Sequence, residues 1–148
     1  MTQGSLFDDD GAGTSEVVVY TDGASRGNPG AAAIGAVVLD PSTDPPTVLA
    51  RVSERIGETT NNVAEYRAVI AGLEAAAPFG ARRMRLRADS LIVVQQLRGT
   101  FKVKTEHLRP LHKRALALLE RYDDVDIGHV PRSKNAEADA LANAALDS

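Results

Sequence analysis

The sequence predicts an α/β fold, a mixed sheet with three antiparallel strands followed by parallel ones, flanked by helices. Three observations lead there. β-Branched and alternating runs crowd the segment after the N-terminal tail, the hydrophobic period changes to a helical one near residue 62, and short strand-like runs then recur between helical stretches.

Taken in order, residues 1–15 are small, polar and glycine-rich, with only Leu6 and Phe7 as bulky apolar groups. They cannot offset the entropy of ordering, so a flexible tail is expected over 1–15 and one domain over 16–148. Residues 16–22 read as a strand, 23–30 as a glycine-rich turn, 31–40 as a second strand, 41–46 as a loop and 47–57 as a third strand. Connections without a helix imply an antiparallel meander. From Asn62, Val63, Tyr66, Val69, Ile70 and Leu73 recur at helical spacing as far as Pro78 and Gly80. A strand over 83–88, helices over 90–98 and 107–122, a strand over 125–130 and a helix over 135–146 complete the order β-β-β-α-β-α-α-β-α. Strands reached through helical crossovers should run parallel to the first.

Composition narrows the function classes. The chain has 148 residues, 43% hydrophobic, enough for one core without disulfides. It has no cysteine, which excludes thiol nucleophiles and zinc-thiolate sites. No apolar run approaches the roughly 18 residues that span a bilayer, and the N-terminus is acidic where a secretory signal is basic, so a cytoplasmic protein with no membrane partner is expected. The formal charge of −3 includes Asp8, Asp9 and Asp10; without them 17 acids face 17 bases. Segregated charge on a neutral domain can still hold a polyanion, so net charge does not decide the partner.

Four acids carry the chemistry. Asp22 closes the first predicted strand and Asp89 the fourth, and sites in sheets with parallel strands lie just past carboxyl ends. Glu65 and Asp139 fall early in two helices that start at the same rim if those helices begin there. Carboxylates held close raise one another's pKa unless a cation lies between them. A cluster without Cys or His is an all-oxygen environment suited to Mg²⁺ or Mn²⁺. Each acid alone has a blander explanation: Glu65 as part of a capping box with Asn62, Asp89 as a helix N-cap, Asp22-Gly23 as a turn, Asp139 as a solvated surface acid. Caps and turns do not call for four acids on one rim.

Four blocks share an order with a known family: Tyr20-Thr-Asp-Gly-Ala-Ser-Arg-Gly-Asn-Pro-Gly30, Thr59-Thr-Asn-Asn-Val-Ala-Glu-Tyr-Arg-Ala68, Ala88-Asp-Ser-Leu-Ile-Val-Val-Gln-Gln96 and Asn135-Ala-Glu-Ala-Asp-Ala-Leu-Ala-Asn143. Through them the chain resembles the type 1 ribonuclease H family from about Val17 onward. The resemblance implies a five-stranded mixed sheet, endonucleolytic hydrolysis of the RNA strand of RNA/DNA hybrids, and Asp22, Glu65, Asp89 and Asp139 as metal-binding and catalytic acids. Two metals about 4 Å apart can stabilise both the attacking and departing oxygens of a phosphodiester. Asp22 is the best candidate to bridge them, with Glu65 and Asp89 on the leaving-group side and Asp139 on the water side.

Telling RNA from DNA requires contacts to the 2′-hydroxyl. By resemblance, Gly23, Asn28, Asn61 and Glu65 lie along the minor groove, while Thr60 and Asn28 help hold a DNA phosphate. Residues 98–114 hold six bases (Arg98, Lys102, Lys104, Arg109, Lys113, Arg114), Phe101 and one acid, Glu106; the run is either a solvated helix face or a grip on the DNA backbone. It is shorter than the basic protrusion of some relatives. Many relatives carry a His on the loop before the last helix, whereas this loop is the compact Val130-Pro-Arg-Ser-Lys-Asn135. Arg132 is the candidate in its place, as in a short-loop subgroup, though a guanidinium cannot accept a proton near neutral pH. His129 is read as structural, and His107 and His112 show no ligand spacing.

A monomer acting on hybrid duplex is expected. Competing readings are a junction resolvase or 3′-exonuclease of the same fold, a catalytically silent nucleic-acid-binding module, and a piece of a larger enzyme. The 27–30 and 61–62 blocks favour the first reading, and the presence of all four acids disfavours the silent one.

Overall fold

A computed structural model of the chain describes residues 14–148. The tail expected over 1–15 lies outside the described residues except for Thr14 and Ser15. Ser15 is already tied to the sheet edge: its carbonyl accepts the amides of Arg82 and Arg83 at 3.1 Å.

The strands are β1 (Glu16–Gly27), β2 (Gly30–Asp40), β3 (Thr47–Thr59), β4 (Arg83–Ala88) and β5 (Asp124–His129), and the helices α1 (Asn61–Ala76), α2 (Leu91–Leu97), α3 (Arg109–Leu119) and α4 (Ala136–Asp147). The five strands are ordered β3-β2-β1-β4-β5. β1, β2 and β3 are antiparallel, and β4 and β5 run parallel to β1 in the predicted manner.

The two-residue alternation of β1 sends Val17, Val19 and Thr21 to one face and Val18, Tyr20 and Asp22 to the other. The first face packs on Tyr66, Val69 and Leu73 of α1, Val93 and Leu97 of α2, and Leu118 and Leu119 of α3, forming the main apolar core with Met84 and Leu86 of β4. Among the described residues, α4 is the helix that packs on the second face. Its buried residues are Ala138, Ala142 and Ala145. α4 lies close because Gly35 of β2 has no side chain; a Cβ there would stand 2.2 Å from the Ala138 carbonyl oxygen.

Several boundaries differ from expectation. β1 does not stop at residue 22: it stays paired with β2 to Gly27↔Gly30, so the predicted turn over 23–30 shrinks to Asn28 and Pro29. The antiparallel partner continues the ladder through residues whose composition suggests a loop, and Gly27 supplies the positive φ of 104° that the closing turn needs. The helix expected over 107–122 opens instead as a 3₁₀ turn, Glu106–Leu108, with Pro110 in the first turn of α3 where its missing amide is harmless. The compact loop before α4 contains another such turn, Arg132–Lys134, as does the end of α1 at Ala77–Phe79.

Candidate active site

The site forms where two parallel strands part. The last rung of the β1–β4 ladder is Thr21↔Ala88. The next residues are Asp22 and Asp89. Beyond that rung β1 continues beside β2 only, while β4 ends and the chain enters α2 through Ser90, whose side chain accepts the Val93 amide as N-cap. Asp22 is therefore inside a strand rather than at its end, yet at the end of the parallel pairing. Asp89 is free of the capping role that Ser90 performs.

Glu65 reaches this point from α1. The N-cap of that helix is Thr60, whose hydroxyl accepts the Val63 amide at 3.3 Å, so Glu65 is no capping-box partner of Asn62. Glu65 Oε1 instead accepts the Gly23 amide at 2.9 Å. The close approach requires glycine, since a Cβ on Gly23 would lie 2.2 Å from the Ala64 carbonyl carbon. Carboxylate oxygens of Asp22, Glu65 and Asp89 lie within 4.8 Å of one another.

Asp139, in the first turn of α4, lies outside that group of three but stands near enough to act on Asp22. Its nearby carboxylate adds to the rise of the Asp22 pKa. Its own orientation is held by Asn143, whose Nδ2 donates to Asp139 Oδ1 at 3.2 Å. Sequence reasoning missed Asn135 as a site residue. It is 1% exposed, donates through Nδ2 to the Thr21 carbonyl at 2.9 Å and accepts the Asp139 amide on its own carbonyl at 3.0 Å, joining the Asp22 strand to the Asp139 helix. Its signal was a polar residue ahead of an alanine-rich helix, indistinguishable from an ordinary cap until burial is known.

Electrostatics mark the cluster as unsuited to standing alone. Burial, then the charges of Glu65 and Asp89, then Asp139 push the Asp22 pKa up to about 8. Burial raises Glu65 to about 7, with the Gly23 amide pulling the other way, Asp89 adding to the rise and Arg132 opposing it. Among the described residues Asp89 Oδ2 is buried with no hydrogen-bond partner, and the cation within 4 Å of it is Arg132, 3.9 Å away and 81% exposed. Converging buried carboxylates with an unsatisfied oxygen fit a hard divalent cation.

The other predicted residues divide into two groups. Asn28 and Asn61 meet directly, the Asn28 side-chain oxygen accepting the Asn61 amide at 3.0 Å, and together with Thr60, Asn62, Thr105 and His107 they line a groove of about 370 Å³. Arg132 does not line that groove and lies beside Asp89. His129 Nε2 is 3.3 Å from the Asp89 carbonyl oxygen. His112 lies edge-on to Tyr66 and contacts the Gln96 carbonyl, while the Tyr66 hydroxyl donates to Gln96 Oε1 at 2.6 Å; this packing links α1, α2 and α3 away from the carboxylates.

Comparison with known proteins agrees with this geometry. A family model described as reverse transcriptase-like matches residues 20–145. The chain is 50% identical over 131 residues to ribonuclease HI of Halobacterium salinarum, covering 88% of this chain and 64% of that protein. The crystal structure of RNase H1 from that archaeon superposes with a TM-score of 0.84 at 49% identity, over 89% of this chain and 98% of that one. A bifunctional protein of Mycobacterium tuberculosis is 47% identical over 132 residues, which are 89% of this chain and 36% of that protein. The chain thus spans 64% and 36% of the lengths of these two curated relatives. LC11-RNase H1, from a compost metagenome and solved in complex with an RNA/DNA hybrid, superposes with a TM-score of 0.80 at 40% identity over 88% of this chain and 96% of that one. With this sheet order, this acidic cluster and these relatives, the chain belongs to the type 1 ribonuclease H family.

Proposed function

We propose that residues 16–148 form a nuclease unit that hydrolyses the RNA strand of RNA/DNA hybrids, with Asp22, Glu65, Asp89 and Asp139 holding two divalent cations, Mg²⁺ or Mn²⁺. The observation that carries this reading is the convergence of three carboxylates within 4.8 Å beside an Asp139 that already acts on Asp22. Bound divalent ions would supply the positive charge that stabilises a departing oxygen and lowers the pKa of water. Asp22 would be shared between the ions, Glu65 and Asp89 would complete one ligand set, and Asp139 the other.

The protein's remaining groups would bind and orient. Gly23, Asn28, Asn61 and Glu65 would meet the minor groove, where the 2′-hydroxyl distinguishes RNA. Thr60 and Asn28 would receive a phosphate of the DNA strand. Arg132 would neutralise or orient near Asp89 without taking a proton, which supports grouping the chain with short-loop relatives that lack the loop His. The reading further includes a cytoplasmic monomer; among the described residues no helix is long and apolar enough to cross a membrane.

Labelled RNA/DNA, RNA/RNA and DNA/DNA duplexes incubated with and without Mg²⁺ or Mn²⁺ test the proposal. Metal-dependent cleavage of the RNA strand in the hybrid alone is expected. Equal cutting of all three duplexes would remove the substrate assignment, and undiminished cutting in excess chelator would remove the metal site.

A further inference from the structure

α4 brings Asp139 to the site, yet its contact with the sheet is made through small side chains. The helix buries alanines against Gly35, and small side chains interlock poorly, so apolar packing alone leaves rotation about the helix axis weakly determined. Edge strand β3 supplies what packing does not. Arg51 Nε donates to Glu137 Oε2 at 2.8 Å, Ser53 Oγ to the Leu141 carbonyl at 2.6 Å, and Arg55 Nε to the Ala145 carbonyl at 3.0 Å. Residues 51, 53 and 55 recur at the two-residue repeat of a strand, and 137, 141 and 145 at the four-residue repeat of a helix face. The three contacts therefore run as one seam along the length of α4. Successive helix residues are rotated by about 100°, so Asp139 lies roughly opposite this seam. Asn135 anchors the N-terminal end of the helix at the Thr21 carbonyl, and the seam fastens its length.

We infer that Ser53 and Arg55 are positioning residues: by fastening the far side of α4 to the edge of the sheet they set the angle at which the Asp139 carboxylate faces Asp22. The inference rests on the proposed nuclease reading. Both side chains are on the surface, so each bond adds little to stability. Their effect falls on the geometry of the site.

The test compares wild type, Ser53→Ala/Arg55→Ala, Arg55→Lys and the core control Val69→Ala. Three measurements are made on each: kcat and KM on an RNA/DNA duplex at saturating Mn²⁺, Mn²⁺ binding to the free protein by calorimetry, and thermal denaturation. For the double variant, kcat is expected to fall about tenfold and Mn²⁺ affinity to weaken by a similar factor, as for other groups that orient metal ligands indirectly. KM for the duplex should hold within about twofold, since binding contacts shared by ground and transition states are untouched. Arg55→Lys, which keeps Ser53 and a donor cation at the helix carbonyls, should lose much less than the double variant. Val69→Ala should lower the melting temperature further than the double variant with Mn²⁺ affinity intact. Unchanged kcat and Mn²⁺ affinity in the double variant would overturn the inference, as would a loss that Val69→Ala reproduces. If wild type cleaves no hybrid, the function reading fails, and the Mn²⁺ affinities still decide the role of the seam.

Discussion

The two faces of the sheet solve the same problem by different means. On one, Val17, Val19, Met84 and Leu86 meet Tyr66, Val69, Leu73, Val93, Leu118 and Leu119, large side chains packed among three helices. On the other, α4 rests on Gly35 through alanines and is held by polar contacts from β3. The first face supplies stability and presents Glu65 from α1. The second supplies little apolar burial and presents Asp139. Position is secured by bulk on one side and by hydrogen bonds on the other, so stability and catalytic geometry should separate under mutation.

The sharpest break of that contrast is at Asp22, which faces α4 yet receives charge from both sides. Asp22→Asn is expected to lower kcat at least about 10³-fold, equivalent to about 4 kcal/mol of transition-state stabilisation, with the melting temperature unchanged or raised. Steady-state cleavage and thermal denaturation on one preparation check both halves. Next comes a pair that weighs the faces against each other. Leu73→Ala, in the core, should cost about 3 kcal/mol, whereas Leu141→Ala on half-buried α4 should cost about 1 kcal/mol; urea unfolding midpoints would reveal equal costs if the faces were equivalent.

A smaller effect concerns pH. Asp22 and Glu65 have folded pKa values near 8 and 7 against ordinary values of 3.8 and 4.5, so the folded protein holds protons that the unfolded chain releases. Their contribution is full below about pH 4 and is lost as pH rises through 7 and 8. Metal-free protein should therefore be more readily unfolded by urea at pH 8.5 than at pH 5.5, and Mg²⁺ should restore more stability at the higher pH. A metal-free protein equally stable at both would contradict the electrostatic account. The smallest effect is expected at Arg132, which is largely exposed: Arg132→Ala should reduce kcat by less than about tenfold, because screening weakens its influence on Asp89. A loss as large as that of Asp22→Asn would give Arg132 a direct part in the chemistry.

The element order was legible because long periodic runs announce themselves: the 3.6-residue repeat from Val63 to Leu73 and the β-branched run ahead of Asp22 survive any tertiary context. The convergence of Asp22, Glu65 and Asp89 was legible too, from acids placed near strand ends and a helix start, although Asp22 proves to lie where the parallel pairing ends rather than where its strand does. The extension of β1 through residues 23–27 was not, because local composition favours a turn and only pairing with β2 overrides it.

What the sequence determined by itself is the inventory, namely which segments are helix or strand and which acids are available, since periodicity and residue chemistry are local properties. Tertiary structure alone decided the distances: that the β1–β4 ladder ends at Thr21↔Ala88, that glycines at 23 and 35 let α1 and α4 come close, and that Asn135 joins the two halves. Those are relations between residues far apart in the chain, and no local signal encodes how closely two backbones can approach.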